Sequence, residues 1–314
     1  MLPEFYIDIN KSKREKWGVV EEYFKPYMAE MRNAILKMYE PLSGMDFVLK
    51  GLVWLKRNSL YYRDDLEYFA QVLNLDLHII LIVNLFYELS SACTTICTNI
   101  NGKNMMFRTM DWDLEFLKKV TFIMKTDNYE AITWFGCVGL FTASNNHFSV
   151  AINYRRTKSM DFMTVITNAF KTIRMDFPAS YLMREIFDRD CDYKTAYDAL
   201  CTSDLISPVY FTVCPKISQP TIIVRWCNSF EIVKCANNYL CQTNIDENNE
   251  GDNILWSIER KEVVKRIMEN AKLNSEMDLI DKINMHPIIN HETIYVSVLI
   301  PGDKIVGKVV SPST

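Results

Sequence analysis

The residue with the most chemical potential in this chain is Cys93, in the run Ser90-Ser91-Ala92-Cys93-Thr94-Thr95. Asn101-Gly102 follows, a dipeptide that closes two-residue β-hairpins, and beyond it stand Arg108 and Asp111. If the hairpin closes there, the Arg108–Asp111 end of the second strand returns beside the Cys93 end of the first. A thiol, a guanidinium and a carboxylate then share one small volume. A thiol is mostly protonated at neutral pH, and a nearby guanidinium stabilises the thiolate that attacks a carbonyl carbon. The competing reading makes Cys93 a small buried apolar residue and Arg108 and Asp111 a surface pair, because free cysteines are commonly buried and inert.

These residues need elements to position them. From about Lys13 to Glu88 the pattern is helical: Trp17, Val20, Tyr23 and Phe24 recur at helical spacing, as do Met28, Met31, Ile35 and Met38, and Leu66, Phe69, Val72 and Leu73. Pro41-Leu42-Ser43-Gly44 reads as a turn. From Ala92 the texture changes to short strands, expected at Thr94–Thr98, Asn104–Arg108, Val120–Lys125, Ala131–Trp134 and Phe148–Asn153. Helices are expected at Met163–Arg174 and Tyr193–Cys201. Strands return at Val209–Cys214, Thr221–Trp226, Phe230–Lys234 and Tyr239–Gln242. A helix at Ile258–Ala271 and strands near Ile294–Leu299 and Lys304–Val310 complete the chain. A helical preface followed by strands, helices and strands suits an α+β architecture, with sheets sandwiched between helices.

Composition removes some function classes. The chain has 314 residues, 49% of them apolar, which is enough for a substantial core. Disorder is expected only at the tails and in the polar stretch Asn244–Asn253. A net charge of −4 gives no reason to expect a nucleic-acid partner. All nine cysteines lie at or after Cys93, and an odd number without paired spacing suits a reduced chain. His78, His147, His286 and His291 are scattered, so no metal site is expected. The opening residues lack the basic and apolar regions of a signal peptide, and the apolar run Ile79–Val83 is too short to span a bilayer. A cytoplasmic protein is expected, or a lysosomal one if Met1 is not the natural start.

NLFYELSSACTTICTN, continuing through RTMDWD, resembles the subunit junction of the acid ceramidase and N-acylethanolamine-hydrolysing acid amidase family. These are N-terminal-nucleophile cysteine hydrolases, in the wider group that includes bile-salt hydrolases and penicillin V acylase. Their Cys-Thr-Ser and Arg-Asn-x-Asp appear here as Cys93-Thr94-Thr95 and Arg108-Thr109-Met110-Asp111. FYIDINKSKREKW, WFGCVGLFTASNNHFSVAINYRR, SPVYFTVC, YLCQTNIDEN and SIERKEV follow in the family's order over nearly the whole chain. The fold this resemblance implies is an αββα N-terminal-nucleophile sandwich preceded by a helical segment. Self-cleavage at Ala92–Cys93 would divide it into residues 1–92 and 93–314. The two pieces would stay associated by packing alone, since residues 1–92 contain no cysteine.

The resemblance also implies roles. The freed α-amine of Cys93 is the base for its own thiol, Arg108 stabilises the thiolate, and Asp111 holds the amine. Asn244 donates to the oxyanion and Arg260 structures the site by pairing with carboxylates. No metal or organic cofactor is implied. One position departs from the family: Asn153-Tyr154-Arg155 stands where the ceramidase branch has Asn-Glu-Arg or Asp-Glu-Arg, so a contact through that carboxylate is lost. The backbone near Asn153 and Tyr154 can still complete the oxyanion hole. The implied substrate is a lipid amide, ceramide-like or an N-acylethanolamine. The alternatives are a smaller amide, such as a conjugated bile acid or N-acyl amino acid, or an inactive lipid-binding homologue. Phe47–Arg57, apolar with cations at one end, reads either as a core helix or as a peripheral membrane contact.

Overall fold

The computed structural model describes residues 1–155, 171, 176–235, 238–248 and 252–310, with 87–90 described by backbone alone. The expected helix at Met163–Arg174 lies outside these residues, apart from Lys171. The chain builds two sheets. One is five-stranded and antiparallel: β2 (Ala92–Ile100), β3 (Lys103–Asp111), β11 (Tyr239–Gln242), β12 (Thr293–Ile300) and β13 (Lys304–Val309), in the order β11-β2-β3-β12-β13. The other is eight-stranded: β1 (Glu4–Tyr6), β4 (Thr121–Lys125), β5 (Tyr129–Trp134), β6 (Thr142–Asn145), β7 (Phe148–Tyr154), β8 (Val209–Pro215), β9 (Thr221–Arg225) and β10 (Phe230–Lys234), running β1-β4-β5-β6-β7-β8-β9-β10. The sheets face each other, with β2 over β7 and β3 over β8.

Helices cover both outer faces. The N-terminal set comprises α1 (Lys13–Phe24), α2 (Met28–Tyr39), α3 (Asp46–Lys56), α4 (Arg63–Leu73) and α5 (Leu77–Ser90). It packs on the eight-stranded sheet, where Phe24 meets Phe122 and Phe135. After the short α6 (Leu117–Val120), α7 (Ala179–Asp188) and α8 (Tyr193–Thr202) join that layer, α8 against β8 and β9. On the other side α9 (Ser257–Asn270) and α10 (Glu276–Ile283) cover the five-stranded sheet. There Val264, Leu279 and Ile283 pack on Ile96, Phe107 and Val298. The architecture is the expected αββα sandwich.

Several expectations change. The turn at Pro41–Gly44 is part of a 3-10 stretch, Glu40–Met45. The start of the polar stretch expected to be disordered is buried: Asn244 and Ile245 lie in the core beside β2. α7, α10, β1 and β6 were not anticipated, although α7 and α10 are strongly amphipathic. β1 adds to the eight-stranded sheet parallel to β4, so residues 1–92 contribute a strand as well as helices.

Residues 1–92 are held to the rest by more than packing. The Asp65 carboxylate on α4 accepts from Trp17 Nε1 at 2.9 Å, meets Lys16 at 2.6 Å, and takes Arg184 Nη2 from α7 at 2.8 Å. Arg184 also lies over the Tyr62 ring at 4.1 Å. Burial alone would raise the Asp65 carboxyl, but Arg184, Lys16 and the Trp17 hydrogen bond outweigh it and hold the group below the usual carboxylate range. Asn84 bridges similarly, donating to Gly136 O and accepting from Val138 N.

Asp65→Ala takes the shared carboxylate from Lys16 and the buried Arg184, which keeps only the Asp188 carboxylate at 3.2 Å, and is expected to cost about 3 kcal/mol, read from urea unfolding of the chain. The native carboxyl is depressed, so its contribution is present above the ordinary value of about 3.9 and is lost as pH falls through the lower folded value. The gap between Asp65→Ala and the parent must therefore narrow on acidification; a gap independent of pH would refute the ion-pair account.

Candidate active site

The hairpin that carries the site is fixed by its turn. Asn101 and Gly102 have φ of 53° and 79°, the left-handed pair of a type I′ turn, and Ile100 faces Lys103 across it. From there the ladder sets Thr95 opposite Arg108, Cys93 opposite Met110 and Ala92 opposite Asp111. Directly paired residues point to the same face and neighbours alternate. Cys93, Thr95 and Arg108 therefore face the seam between the sheets, while Ala92, Thr94, Thr109 and Asp111 face the α9 layer.

On the seam side, Arg108 Nη2 lies 3.1 Å from Cys93 Sγ and donates to Ile152 O at 2.6 Å. Its Nη1 donates to Asn153 Oδ1 at 2.8 Å and Thr95 Oγ1 at 3.1 Å. Asn153 Nδ2 returns to the Cys93 carbonyl at 3.2 Å and to the carbonyls of Gln242 and Thr243.

On the other side Arg260, from the first turn of α9, is the hub. Nη1 donates to Cys93 O at 2.7 Å and Thr94 Oγ1 at 2.8 Å, and stands 3.6 Å from Asp111 Oδ2. Nη2 donates to Asn244 Oδ1 at 3.1 Å and Ser257 Oγ at 2.9 Å. Nε donates to Leu255 O at 2.8 Å, where Leu255 and Trp256 hold φ of 42° and 57°. Such backbone is uncommon outside glycine and is found where the surroundings enforce it. Asp111 accepts from Thr293 Oγ1 at 2.7 Å. Burial pushes its carboxyl above the usual value, against the pull of Arg260 and the Thr293 hydrogen bond. Burial likewise lowers Arg260 from its ordinary value.

The peptide nitrogen of Cys93 donates to Asn244 Oδ1 at 2.7 Å, and Asn244 Nδ2 donates to Tyr154 O at 2.9 Å. Every residue put forward for catalysis from the sequence thus lies within one connected network around Cys93. The placement differs in one respect. Asp111 was expected at the Cys93 nitrogen, but in the continuous chain that nitrogen is held by Asn244, and Asp111 sits across the strand with Thr293, Thr109 and Arg260. Cys93 is fully buried, and other thiols are pushed up by burial, Cys137 and Cys241 to about 12. Among the described residues no group of three His, Cys, Asp or Glu side chains could hold a metal ion.

With this geometry established, comparison with known proteins places the chain. No family model matches it. An uncharacterized protein of Acanthamoeba polyphaga mimivirus, R632, is 27% identical over 93% of this chain and 94% of its own. The N-acylethanolamine-hydrolyzing acid amidase of Caenorhabditis elegans is 23% identical over 96% of this chain and 90% of its own length. Mouse acid ceramidase is 23% identical over 76% and 67%. The chain is homologous, at the level of family, to acid ceramidases and N-acylethanolamine-hydrolyzing acid amidases. The solved structure of a Caenorhabditis elegans ortholog of the latter superposes with a TM-score of 0.57 at 22% identity, covering 67% of this chain and 93% of that one, a likeness of fold.

Sequence reasoning missed the threonines. Thr94, Thr95, Thr109 and Thr293 each bond a charged side chain or an amide of the network. The signal was available in Cys93-Thr94-Thr95, because strand parity sends one threonine to each face.

Arg260→Met should strand the buried Asp111 and cost about 3–5 kcal/mol, whereas Arg260→Met with Asp111→Asn should recover part of that loss. Urea unfolding of the two singles and the double gives the coupling; strict additivity would show that the two charges do not interact.

Proposed function

We propose that this protein is a self-processing amide hydrolase whose nucleophile is Cys93. The observation that carries the reading is the Arg108 guanidinium 3.1 Å from the Cys93 sulfur, while Asn244 and Arg260 hold the peptide nitrogen and carbonyl of the same residue. In the continuous chain the thiol attacks the Ala92 carbonyl, the Ala92–Cys93 amide bond breaks with a proton passing to the new α-amine, and water hydrolyses the thioester. The products are residues 1–92 and 93–314. The buried state of Cys93 here is that of the uncut chain, with α5 leading directly into β2.

Once free, the α-amine can act as general base and take the proton of the thiol on the same residue. Arg108 then faces a thiolate rather than a thiol. The sulfur attacks an acyl carbonyl, the amine leaves, and water releases the acid. Asn244 Nδ2, with the backbone around Asn153 and Tyr154, donates to the oxyanion. Asp111 acts through Arg260 and Thr293 to fix the strand, and comes to the amine only if cleavage lets the new terminus turn toward it.

The acyl donor is a lipid amide on the precedent of relatives named for ceramide and for N-acylethanolamine. Both match at 23% identity, so identity favours neither. A smaller amide such as an N-acyl amino acid is a second reading, favoured by the Arg155 side chain discussed below. Those relatives are named as acid enzymes, which supports the lysosomal alternative over the cytoplasmic one. Lipid delivery falls to α3. Leu49 and Val53 are buried beneath it, whereas Phe47, Trp54 and Leu55 are 90%, 74% and 69% exposed on its other side. An exposed apolar stripe flanked by Lys50, Lys56 and Arg57 suits a helix lying in a membrane interface.

Intact-mass analysis before and after mild acidification is expected to give two fragments meeting at Ala92/Cys93, with Cys93→Ala remaining whole. A chain that stays uncut at every pH and turns over no amide would support the lipid-binding homologue instead. Among processed variants, Asn244→Ala should lower kcat by about 100- to 1,000-fold.

Phosphatidylcholine vesicles test the second element. Trp54 fluorescence should shift to the blue on binding, and Phe47→Ala with Leu55→Ala should weaken binding by at least about tenfold, or about 1.4 kcal/mol. Equal binding by parent and variant would remove α3 from the account.

A further inference from the structure

One buried cation near the site is incompletely used. Arg155 directly follows β7 and is 6% exposed. Its Nε and Nη2 each donate to Asp246 at 2.8 Å, and its guanidinium carbon lies 4.1 Å from the centre of the Trp226 ring. Tyr210 also donates to Asp246, at 2.5 Å. The third nitrogen, Nη1, is buried and has no hydrogen-bond partner among the described residues. An unpaired buried N–H of a charged group is costly, and native structures retain such groups where something else will pair with them.

Its position relates it to Cys93. Asn153 and Arg155 share the seam face of the strand, one pleat repeat or roughly 7 Å apart. Asn153 touches the Cys93 carbonyl, Asn244 the Cys93 nitrogen, and Asp246 lies two residues beyond Asn244. The Arg155–Asp246 pair is therefore the next rung outward from the rung that grips Cys93. Lys261 Nζ adds a second cation, 3.4 Å from the Asp246 and Glu247 carbonyls. Asp246 is already engaged by Arg155 and Tyr210, which leaves Nη1 as the guanidinium nitrogen still able to pair.

We propose that Arg155 is a specificity-determining residue that receives a carboxylate on the amine portion of the substrate, so that the preferred amides are N-acyl amino acids. This rests on the amide-hydrolase reading above. Arg is suited to the task because its planar fork can hold Asp246 through two nitrogens and still present a third donor to an anion. An N-acylglycine places its carboxylate two bonds beyond the scissile nitrogen. An N-acylethanolamide of the same chain offers only a neutral hydroxyl there.

The test uses processed protein with N-lauroylglycine and N-lauroylethanolamide. The parent should show the higher kcat/KM on the glycine conjugate, and Arg155→Gln should lower the glycine-to-ethanolamide ratio by at least about tenfold, the scale of a charge-assisted hydrogen bond. Arg155→Lys keeps a cation opposite Asp246 and guards against a misfolded glutamine variant; it should lower the ratio less, in the same direction. A parent that hydrolyses the ethanolamide at least as well, or a ratio unmoved by both variants, overturns the proposal and leaves the hydrolase reading standing. If neither amide is hydrolysed, that reading fails, and calorimetric binding of N-lauroylglycine decides: weaker binding by the variants supports the Arg155 site, and equal binding ends it.

Discussion

The structure turns on burying two guanidinium groups on either side of one strand. Arg108 and Arg260 are both fully buried, as is Asp111. A charge removed from water must find hydrogen-bond acceptors in fixed places, or folding loses several kcal/mol. Those acceptors are the Cys93 carbonyl, Ile152 O, Leu255 O, Ile254 O and the side chains of Asn153, Asn244, Thr94 and Thr95. They come from β2, β7, the segment after β11 and the entry to α9. Satisfying the two cations therefore pins four distant pieces of chain around Cys93, and a geometry useful for acyl transfer follows from the requirement for polar satisfaction. A one-residue slip of β2 against β3 would exchange the two faces and orphan both arginines.

That constraint also marks what the sequence could reveal. The Asn101–Gly102 turn was legible because its chemistry is local: two left-handed residues between two apolar strands. It correctly brought Arg108 back to Cys93. Placing Asp111 beside the same thiol did not follow, because the ladder alternates sides and Asp111 stands an odd three positions on from Arg108. Arg260 was singled out by the family resemblance alone, and its role as the hub depends on the left-handed turn at Leu255–Trp256, which no propensity suggests. Asn153 lies on another sheet from Cys93. Such non-local pairing leaves no period in either segment. The buried Asn244–Ile245 shows the same limit, since its polar composition imitates a loop.

Residues 1–92 and 93–314 are intertwined before any cut. β1 pairs with β4, Asp65 with Arg184, and Asn84 with the Gly136–Val138 turn. Breaking a single peptide bond at Ala92–Cys93 would remove none of these interactions. Hydrogen bonds and buried charge add directional restraint to apolar packing, so the register of β2 against β3 and β11 has support independent of α5. The uncut chain already holds Arg108 and Asn244 each against Cys93, and processing would need to release one amine rather than assemble a site.

The departure at position 154 can be judged on the same physical terms. Asn153 and Arg155 project into the seam, where they meet Cys93 O and Asp246. Strand alternation then sends the Tyr154 side chain to the opposite face of its sheet, toward the helical layer, where it is buried. What position 154 gives the network is its carbonyl, which accepts from Asn244 Nδ2, and every residue type carries that group. Replacing a glutamate there thus removes a charge from beneath the strand while leaving the oxyanion-side backbone intact. Meanwhile the neighbouring guanidinium keeps one N–H unspent. The chemistry gained or lost at this rung therefore rests with Arg155 and its partner Asp246.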